Sequence, residues 1–409
     1  MPELLSPAGN REKLETAIRY GADAVYLSGE RFGMRAFADN FSVDGIRDAV
    51  RYAHEWGVKL YLTVNTMPKE GEYGALRAYF EVLRDTPPDA LIVADIGVLM
   101  LAKEVLPHVD LHLSTQANAV SSTACRAWHA LGAKRIVLAR ELTLEEIKEI
   151  RVNTPHTLEL EAFIHGSMCV SYSGRCLISG FFTGRDANRG ACAQPCRWNY
   201  RVKRLEITEE KRPELPLTVE EHNGESYVMG SRDTCMIRHI PSLMESGIDS
   251  FKIEGRMKSA YYAAVVTNTY RMAMDAYAAG NYTFDPLWER ELQSVSHREY
   301  ATGYYFDSPS ENANLCENNG YMGEKAYLAY AVAYDRESGF ATFVQKNKMT
   351  LGQTVELLTP GKTGVSLTVT ELRDEQGAPI DATPHPQMRF LMKMPFPVKE
   401  GDILRGGEE

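Results

Sequence analysis

No stretch of the 409-residue sequence approaches 18 consecutive apolar residues, so it predicts no membrane-spanning helix. The opening MPELLSPAGNREKLE lacks a basic segment followed by an apolar one. That predicts no signal peptide and a cytoplasmic protein. There is no G-x-S-x-G elbow and no H-E-x-x-H, since HEWGV at 54–58 carries only the first histidine. A hydrolase with a standard serine or metal site therefore finds no motif support. No G-x-G-x-x-G opens a helix after the first strand-like run, which argues against a dinucleotide-binding fold. Cysteine is sparse at seven residues, an odd number, which argues against a disulfide framework. The net charge of −10 excludes a generally basic nucleic-acid coat but leaves room for a local basic patch. What remains, with 44% hydrophobic residues, is a globular chain long enough for one large core and at least one small domain.

Eight β-rich runs stand out: ELLSP (3–7), AVYLSG (24–29), KLYLTVN (59–65), ALIVAD (90–95), LHLSTQ (111–116), RIVLAR (135–140), LELEAFIHG (158–166) and SFKIEGR (250–256). Helical patterns separate them at 10–20, 43–56, 72–84, 97–106, 119–132 and 143–151, and Thr143 is a ready N-cap followed by acids. Near-continuous apolar runs suit strands covered on both faces. The alternation predicts an α/β fold, a (β/α)8 TIM-like barrel, with a doubly wound open sheet as the alternative. The expected divisions are a barrel from 1–165 and 250–280, a cysteine-rich insertion at 166–249, a linker region at 281–324 and a C-terminal β-barrel domain at 325–409. Within the insertion, RVKRLEI (201–207), LPLTVEE (215–221) and SYVMGS (226–231) read as a hairpin, and 235–246 as a short helix. An insertion this long after the seventh strand of a barrel falls on the face where such folds carry chemistry.

The insertion holds CVSYSGRCLISGFFTGRDANRGACAQPC, with Cys169, Cys176, Cys192 and Cys196 at the spacing C-x6-C-x15-C-x3-C. Free cysteines are often core residues, which suits Cys125 and Cys316, but these four lie among Gly, Ser and Arg. Zinc usually takes paired C-x2-C knuckles, and the segment has none. An iron–sulfur cluster tolerates irregular spacing and favours nearby Arg and backbone N–H groups. The spacing leaves iron–sulfur and zinc both open, and Cys235 stands as an alternative to Cys196 for the fourth ligand.

From Gly166 to Arg204 there are seven basic residues (Arg175, Arg185, Arg189, Arg197, Arg201, Lys203 and Arg204) against one acid, Asp186. Tyr172, Phe181, Phe182, Trp198 and Tyr200 are interleaved with them. A charge run is usually a solvated face, but cations alternating with aromatics also suit a single-stranded or flipped nucleotide. At the C-terminal ends of the expected strands lie Asn65, Asp95, Gln116, Arg140, His165, Glu254 and Arg256, which a barrel would gather at one mouth. Arg140 and Arg256 suit bidentate binding of a small carboxylate. His165, Glu254 and Asp95 are the candidates for proton transfer. Asn65, Gln116, Arg175 and Arg197 complete the candidate substrate contacts.

Six stretches together, ELLSPAGN (3–10), GADAVYLSGERFGMRAFADNF (21–41), LSTQAN (113–118), FIHGSMCVSYSGRC (163–176), NRGACAQPCRW (188–198) and SFKIEGRMKS (250–259), resemble the collagenase-like peptidase family U-32. The resemblance runs through nearly the whole chain. It implies a [4Fe–4S] cluster on the four cysteines, with zinc the lesser alternative. It also implies hydroxylation of RNA pyrimidines or of ubiquinone precursors, in some members with prephenate as the oxygen source. The most similar branch converts the wobble uridine of tRNA to 5-hydroxyuridine, so tRNA and a small carboxylate co-substrate are the implied partners. A peptidase, as the family's name has it, and a non-catalytic iron–sulfur RNA-binding protein are the competing readings.

Overall fold

The structure, a computed structural model, describes residues 1–34, 39–169, 171–198, 207–209, 212–217, 221–222, 225–226, 231–307, 314, 321–323 and 325–406. Eight strands form the central sheet: β1 (Glu3–Pro7), β2 (Ala24–Ser28), β3 (Lys59–Val64), β4 (Ala90–Val93), β5 (Asp110–Leu113), β6 (Arg135–Val137), β7 (Glu159–Gly166) and β8 (Ser250–Ile253). Each pairs in parallel with the next. β8 pairs in parallel with both β7 (Ser250 opposite Glu161) and β1 (Glu3 opposite Ser250). That second pairing closes the sheet into a barrel and removes the open-sheet alternative.

The covering helices lie close to where the sequence periodicity put them, at α1 (Arg11–Arg19), α2 (Val43–Glu55), α3 (Tyr73–Val82), α4 (Ile96–Val105), α5 (Ser122–Leu131) and α6 (Leu144–Val152). Their starts are fixed by side-chain caps. Asn10 accepts the Lys13 N–H, Ser42 the Gly45 N–H, and Thr143 with Glu146 forms a reciprocal capping box. Alternate residues of each strand face outward to these helices, as Leu4, Val25, Leu27, Leu60, Leu62 and Val93 do in the main core.

The barrel interior is only partly apolar. Leu5, Ala24, Tyr26, Tyr61, Ala90 and Ile92 fill one layer. Beside it runs a buried ion network: Arg135 contacts Glu3 at 2.6 Å, Glu159 at 2.8 Å and Glu161 at 3.1 Å, and Glu161 holds Lys252 at 2.7 Å.

Where the chain leaves β7, Asp233–Cys235 returns antiparallel to its end, with Thr234 opposite Gly166, and also pairs with Tyr300–Ala301. Inside the insertion, Ile207–Glu209 pairs with Arg212–Leu217 and Glu221–His222 with Glu225–Ser226. The rest of the expected hairpin stretches lies outside the described residues, with Tyr200, Arg201, Lys203, Arg204 and Cys316. The expected helix at 235–246 is a 3-10 turn, Ile237–His239, running into Ile240–Met244.

The expected C-terminal β-barrel domain is an antiparallel half-barrel of seven strands between Tyr327 and Gly406 with its own core around Phe343, Phe390 and Leu404. Arg405, 2% exposed, joins it to the helix Pro286–Gln293 through Glu291 (2.6 Å) and is held from its own side by Glu356 (2.7 Å). No helix of the described residues is long and apolar enough to cross a membrane.

Candidate functional site

The loops after β3, β5, β6 and β8 deliver Asn65, Gln116, Arg140, Glu254 and Arg256 to the C-terminal mouth of the barrel, as the strand-end pattern predicts. They line an inner cavity of about 60 Å³. Arg256 is 4% exposed; it donates to the Met34 carbonyl and reaches Thr63 Oγ1 at 3.5 Å. Asn65 Oδ1 accepts the Met34 N–H at 3.0 Å, and its Nδ2 donates to Ser114 Oγ at 3.3 Å. The Arg140 guanidinium lies 4.0 Å from the centre of the Phe163 ring and 3.9 Å from the Glu254 carboxylate. Tyr26 OH donates to Glu254 Oε2 at 3.3 Å. The cavity also contains Lys252, whose ammonium sits over the Tyr26 ring at 4.4 Å while Glu161 grips it from within the barrel.

An outer cavity of about 330 Å³ adjoins the inner one, and Met34, Gln116, Arg140, Cys169 and Glu254 line both. Its wall carries all four cysteines of the cluster motif: Cys169, Cys176, Cys192 and Cys196. Cys169 is exposed, and Cys176, Cys192 and Cys196 are half-buried. The donors around them suit an anionic group. Arg140 Nη1 lies 3.9 Å from Cys169 Sγ, and the Gln194 N–H points at Cys192 Sγ from 3.4 Å. Four thiols with N–H and guanidinium donors fit a four-thiolate cluster. Among the described residues, no three His, Cys, Asp or Glu side chains already stand grouped around a common metal position.

Cys235 is not part of this wall. It lies on the strand that returns along β7, opposite His165, beside Tyr270 OH at 4.0 Å. Burial pushes its thiol up to about 11. Of the two alternatives for a fourth ligand, the geometry groups Cys196 with the other three.

Three expected site residues are placed elsewhere. His165 lines neither cavity. It is 1% exposed, Tyr270 and Tyr300 hydroxyls approach its two ring nitrogens at 3.4 Å, and Tyr262 packs beside it. Burial drives its pKa down to about 3, which keeps the ring neutral. β8 shifts register against β7 at this strand end, and the His165 ring packs against Tyr262 and Tyr270 of the helix Ala260–Ala278. Asp95 is the N-cap of α4, accepting the Val98 N–H at 3.0 Å and the Tyr73 hydroxyl at 2.9 Å. Its position after β4 is right for a mouth residue, but the cap claims its carboxylate. Arg175 is exposed and lines neither cavity. The Arg197 side chain lies outside the described residues.

Part of the insertion's basic charge is structural. Arg189 ties the insertion to the barrel through the Met67 carbonyl (2.8 Å) and Glu72 (3.0 Å), and Arg185 donates to the Ala191 carbonyl. Tyr172 and Phe182 are each half exposed, and Phe182 meets Trp198 edge-on at 6.5 Å.

The residues missed in the sequence are Lys252 and Tyr26. Both sit inside apolar-looking strand runs, and the only signal was a charged residue in the middle of SFKIEGR.

Two glycines allow the insertion to meet the mouth. At Gly166 the chain leaves β7 with φ +105, and a Cβ there would lie 2.3 Å from the Glu254 carbonyl oxygen. At Gly174, φ is +72 and a Cβ would lie 2.1 Å from the Gln116 carbonyl oxygen. Gly174→Ala is therefore expected to cost at least about 1–2 kcal/mol from the left-handed backbone alone and to lift the loop from the barrel. Gly180→Ala, in the helix Ile178–Thr183 with open space at its Cβ, is the control. Thermal unfolding and limited proteolysis of the insertion check the pair; equal behaviour would contradict the clamped loop.

With this geometry in hand, comparison with known proteins is specific. Residues 9–315 match Peptidase family U32 and residues 324–405 match the Peptidase family U32 C-terminal domain. The Bacillus subtilis "tRNA hydroxylation protein P1" is 36% identical over 409 residues, covering 100% of this chain and 95% of the relative. A Porphyromonas gingivalis protein named "Collagenase" is 31% identical, covering 91% of this chain and 90% of the relative. The Escherichia coli "23S rRNA 5-hydroxycytidine C2501 synthase" is 38% identical over 279 residues, covering 67% of this chain and 39% of the relative. Both U32 domains are thus present in sequence order on one closed barrel and its appended half-barrel, and the chain belongs to peptidase family U32.

Proposed function

We propose that this protein is an RNA-modifying enzyme that hydroxylates a pyrimidine at C5, the wobble uridine of tRNA. In this reading Cys169, Cys176, Cys192 and Cys196 hold a [4Fe–4S] cluster, and prephenate is the oxygen donor. The observation that carries the reading is the shared wall of the two cavities. Cys169, Arg140, Glu254 and Gln116 belong to both the cation-lined inner pocket and the thiol-lined outer one. Relatives named for tRNA hydroxylation and for 5-hydroxycytidine synthesis support RNA hydroxylation as the class of reaction.

The chain's own residues divide the work. Arg140 and Arg256 bind the carboxylate of the donor, Arg256 from a position fixed by Met34 and Thr63. Lys252 adds positive charge deep in the same cavity, where water is scarce and charge counts for more. Glu254, hydrogen-bonded by Tyr26, is the carboxylate placed to accept the proton that C5 loses. A cluster bound at the cysteines supplies an electron carrier or a Lewis-acidic iron. The half-exposed Tyr172, on the outer cavity wall, and Phe182 and Trp198 offer stacking surfaces for single-stranded nucleotides.

The test is nucleoside mass spectrometry of tRNA from a strain lacking this gene and any other U32 gene, with and without this chain restored. 5-Hydroxyuridine derivatives are expected only on restoration; identical profiles overturn the function.

The collagenase-named relative motivates a second reading, a peptidase. That chemistry needs a base beside an activatable nucleophile, and His165 is sealed among tyrosines. Gelatin hydrolysis by the purified protein, with tRNA nucleosides unaffected, is the result that would put the peptidase in place of the hydroxylase.

A further inference from the structure

We infer that Gln116 reads the Watson–Crick edge of the pyrimidine at the junction of the two cavities, an inference that rests on the function proposed above. Among the described residues three amide side chains line the two cavities, and their partners separate them. Asn65 lines only the inner cavity, and both ends of its amide are occupied by Met34 and Ser114. Gln194 lines only the outer cavity and is engaged through its backbone at Cys192. Gln116 lines both cavities. Among the described residues its side-chain amide makes no hydrogen bond, although the residue is half-buried.

Its backbone, by contrast, is fixed from several directions. The 3-10 turn Thr115–Ala117 is capped by Ser114, whose Oγ accepts the Gln116 N–H at 3.3 Å. Thr115 Oγ1 donates to the Leu138 carbonyl at 3.1 Å, and Asn118 closes the turn in the left-handed region. Gly174 of the insertion packs against the Gln116 carbonyl. A rigid backbone presenting an unused amide is the arrangement expected of a ligand-reading side chain.

Uracil offers an N3–H donor beside an O4 acceptor. A primary amide matches that pair, with Oε1 accepting from N3–H and Nε2 donating to O4. C5 is the ring atom next to the carbon bearing O4. N3–H is flanked by O2 as well as O4, and it is pairing on the O4 side that brings C5 towards Cys169, Arg140 and Glu254, which share the junction with Gln116. Gln116 is then both a specificity and a positioning residue for the proposed reaction.

The experiment uses the anaerobically purified holoprotein and anticodon stem–loops with uridine or 3-methyluridine at the target position. The methyl group removes the N3–H donor and leaves the rest of the base in place. Wild-type protein is expected to favour uridine by roughly 5- to 100-fold in affinity at fixed salt, the worth of one bidentate base contact. Gln116→Ala should bring that ratio close to one. Gln116→Glu, with a carboxylate facing O4, should bind uridine more weakly than Gln116→Ala does. Unchanged thermal unfolding and visible absorption establish that the variants are intact. An equal loss of affinity for both stem–loops in Gln116→Ala, or retained discrimination, overturns the role of Gln116 while leaving the proposed function standing. Wild-type protein that neither binds nor modifies the uridine stem–loop sinks the proposed function, and this inference with it.

Discussion

Cys176→Ala is expected to abolish both the visible absorption of the proposed iron–sulfur cluster and the proposed RNA modification, with loss to the detection limit rather than a graded decline. Cys176 shares the outer cavity wall with Cys169, Cys192 and Cys196. A four-thiolate cluster loses one iron ligand with each such substitution. Cys235→Ala is the informative contrast. Its thiol lies beside Tyr270 on the strand returning along β7, outside that wall, so the proposed cluster and activity should survive. Cys125→Ala, in the α5 core, should cost only packing. The measurements are iron and sulfide content after anaerobic purification, the visible spectrum, and nucleoside mass spectrometry of tRNA from cells carrying each variant. Full modification by Cys176→Ala would remove the cysteines from the mechanism. A colourless, zinc-loaded wild-type protein would replace the redox reading with a structural-metal one.

Much of this architecture could be read from the order of residues, because the physics involved is local. Helix starts were visible in Thr143 and its following acids, since a cap is satisfied within three residues. The barrel's strand ends were visible because a parallel barrel delivers every such end to one face. That rule placed Asn65, Gln116, Arg140, Glu254 and Arg256 together correctly. It failed at Asp95 and His165 for reasons that periodicity does not encode. Asp95 is as good a helix cap as a mouth residue, and the nearer backbone N–H groups win it. His165 lies where β8 shifts register against β7, between Lys252 and Ile253, and its ring enters a tyrosine cage instead of the mouth. The division of the insertion's arginines was equally hidden. Whether Arg189 meets RNA or Glu72 depends on a partner 117 residues away.

The barrel interior was the least legible part, and Glu161 makes the strongest stability prediction there. LELEAFIHG shows a strand with an acid at alternate positions, a pattern that elsewhere marks a solvent-facing edge. Here Glu161 is fully buried, with Arg135 on one oxygen at 3.1 Å and Lys252 on the other at 2.7 Å. Glu161→Ala takes the carboxylate from buried Lys252 and one of three carboxylates from Arg135, and is expected to destabilise the barrel by about 3–5 kcal/mol, the usual cost of breaking a buried pair from one side. Lys252 would also lose its grip below the inner cavity, so any surviving fold should bind the proposed carboxylate co-substrate more weakly. The pH dependence has a definite sign. Lys252 and Arg135 hold the Glu161 carboxyl below its ordinary range in the fold, against the opposing effect of burial. A carboxylate depressed in the fold contributes its full stability above its unfolded pKa, about 4.3, and loses it as pH falls through the folded value. The gap between wild type and Glu161→Ala, read by urea unfolding, is therefore expected to be widest near neutral pH and to narrow below about pH 4. A gap that stays constant into acid would mean that the missing side-chain volume, and not the ion network, sets the cost. A gap that widens there would contradict the network's sign outright.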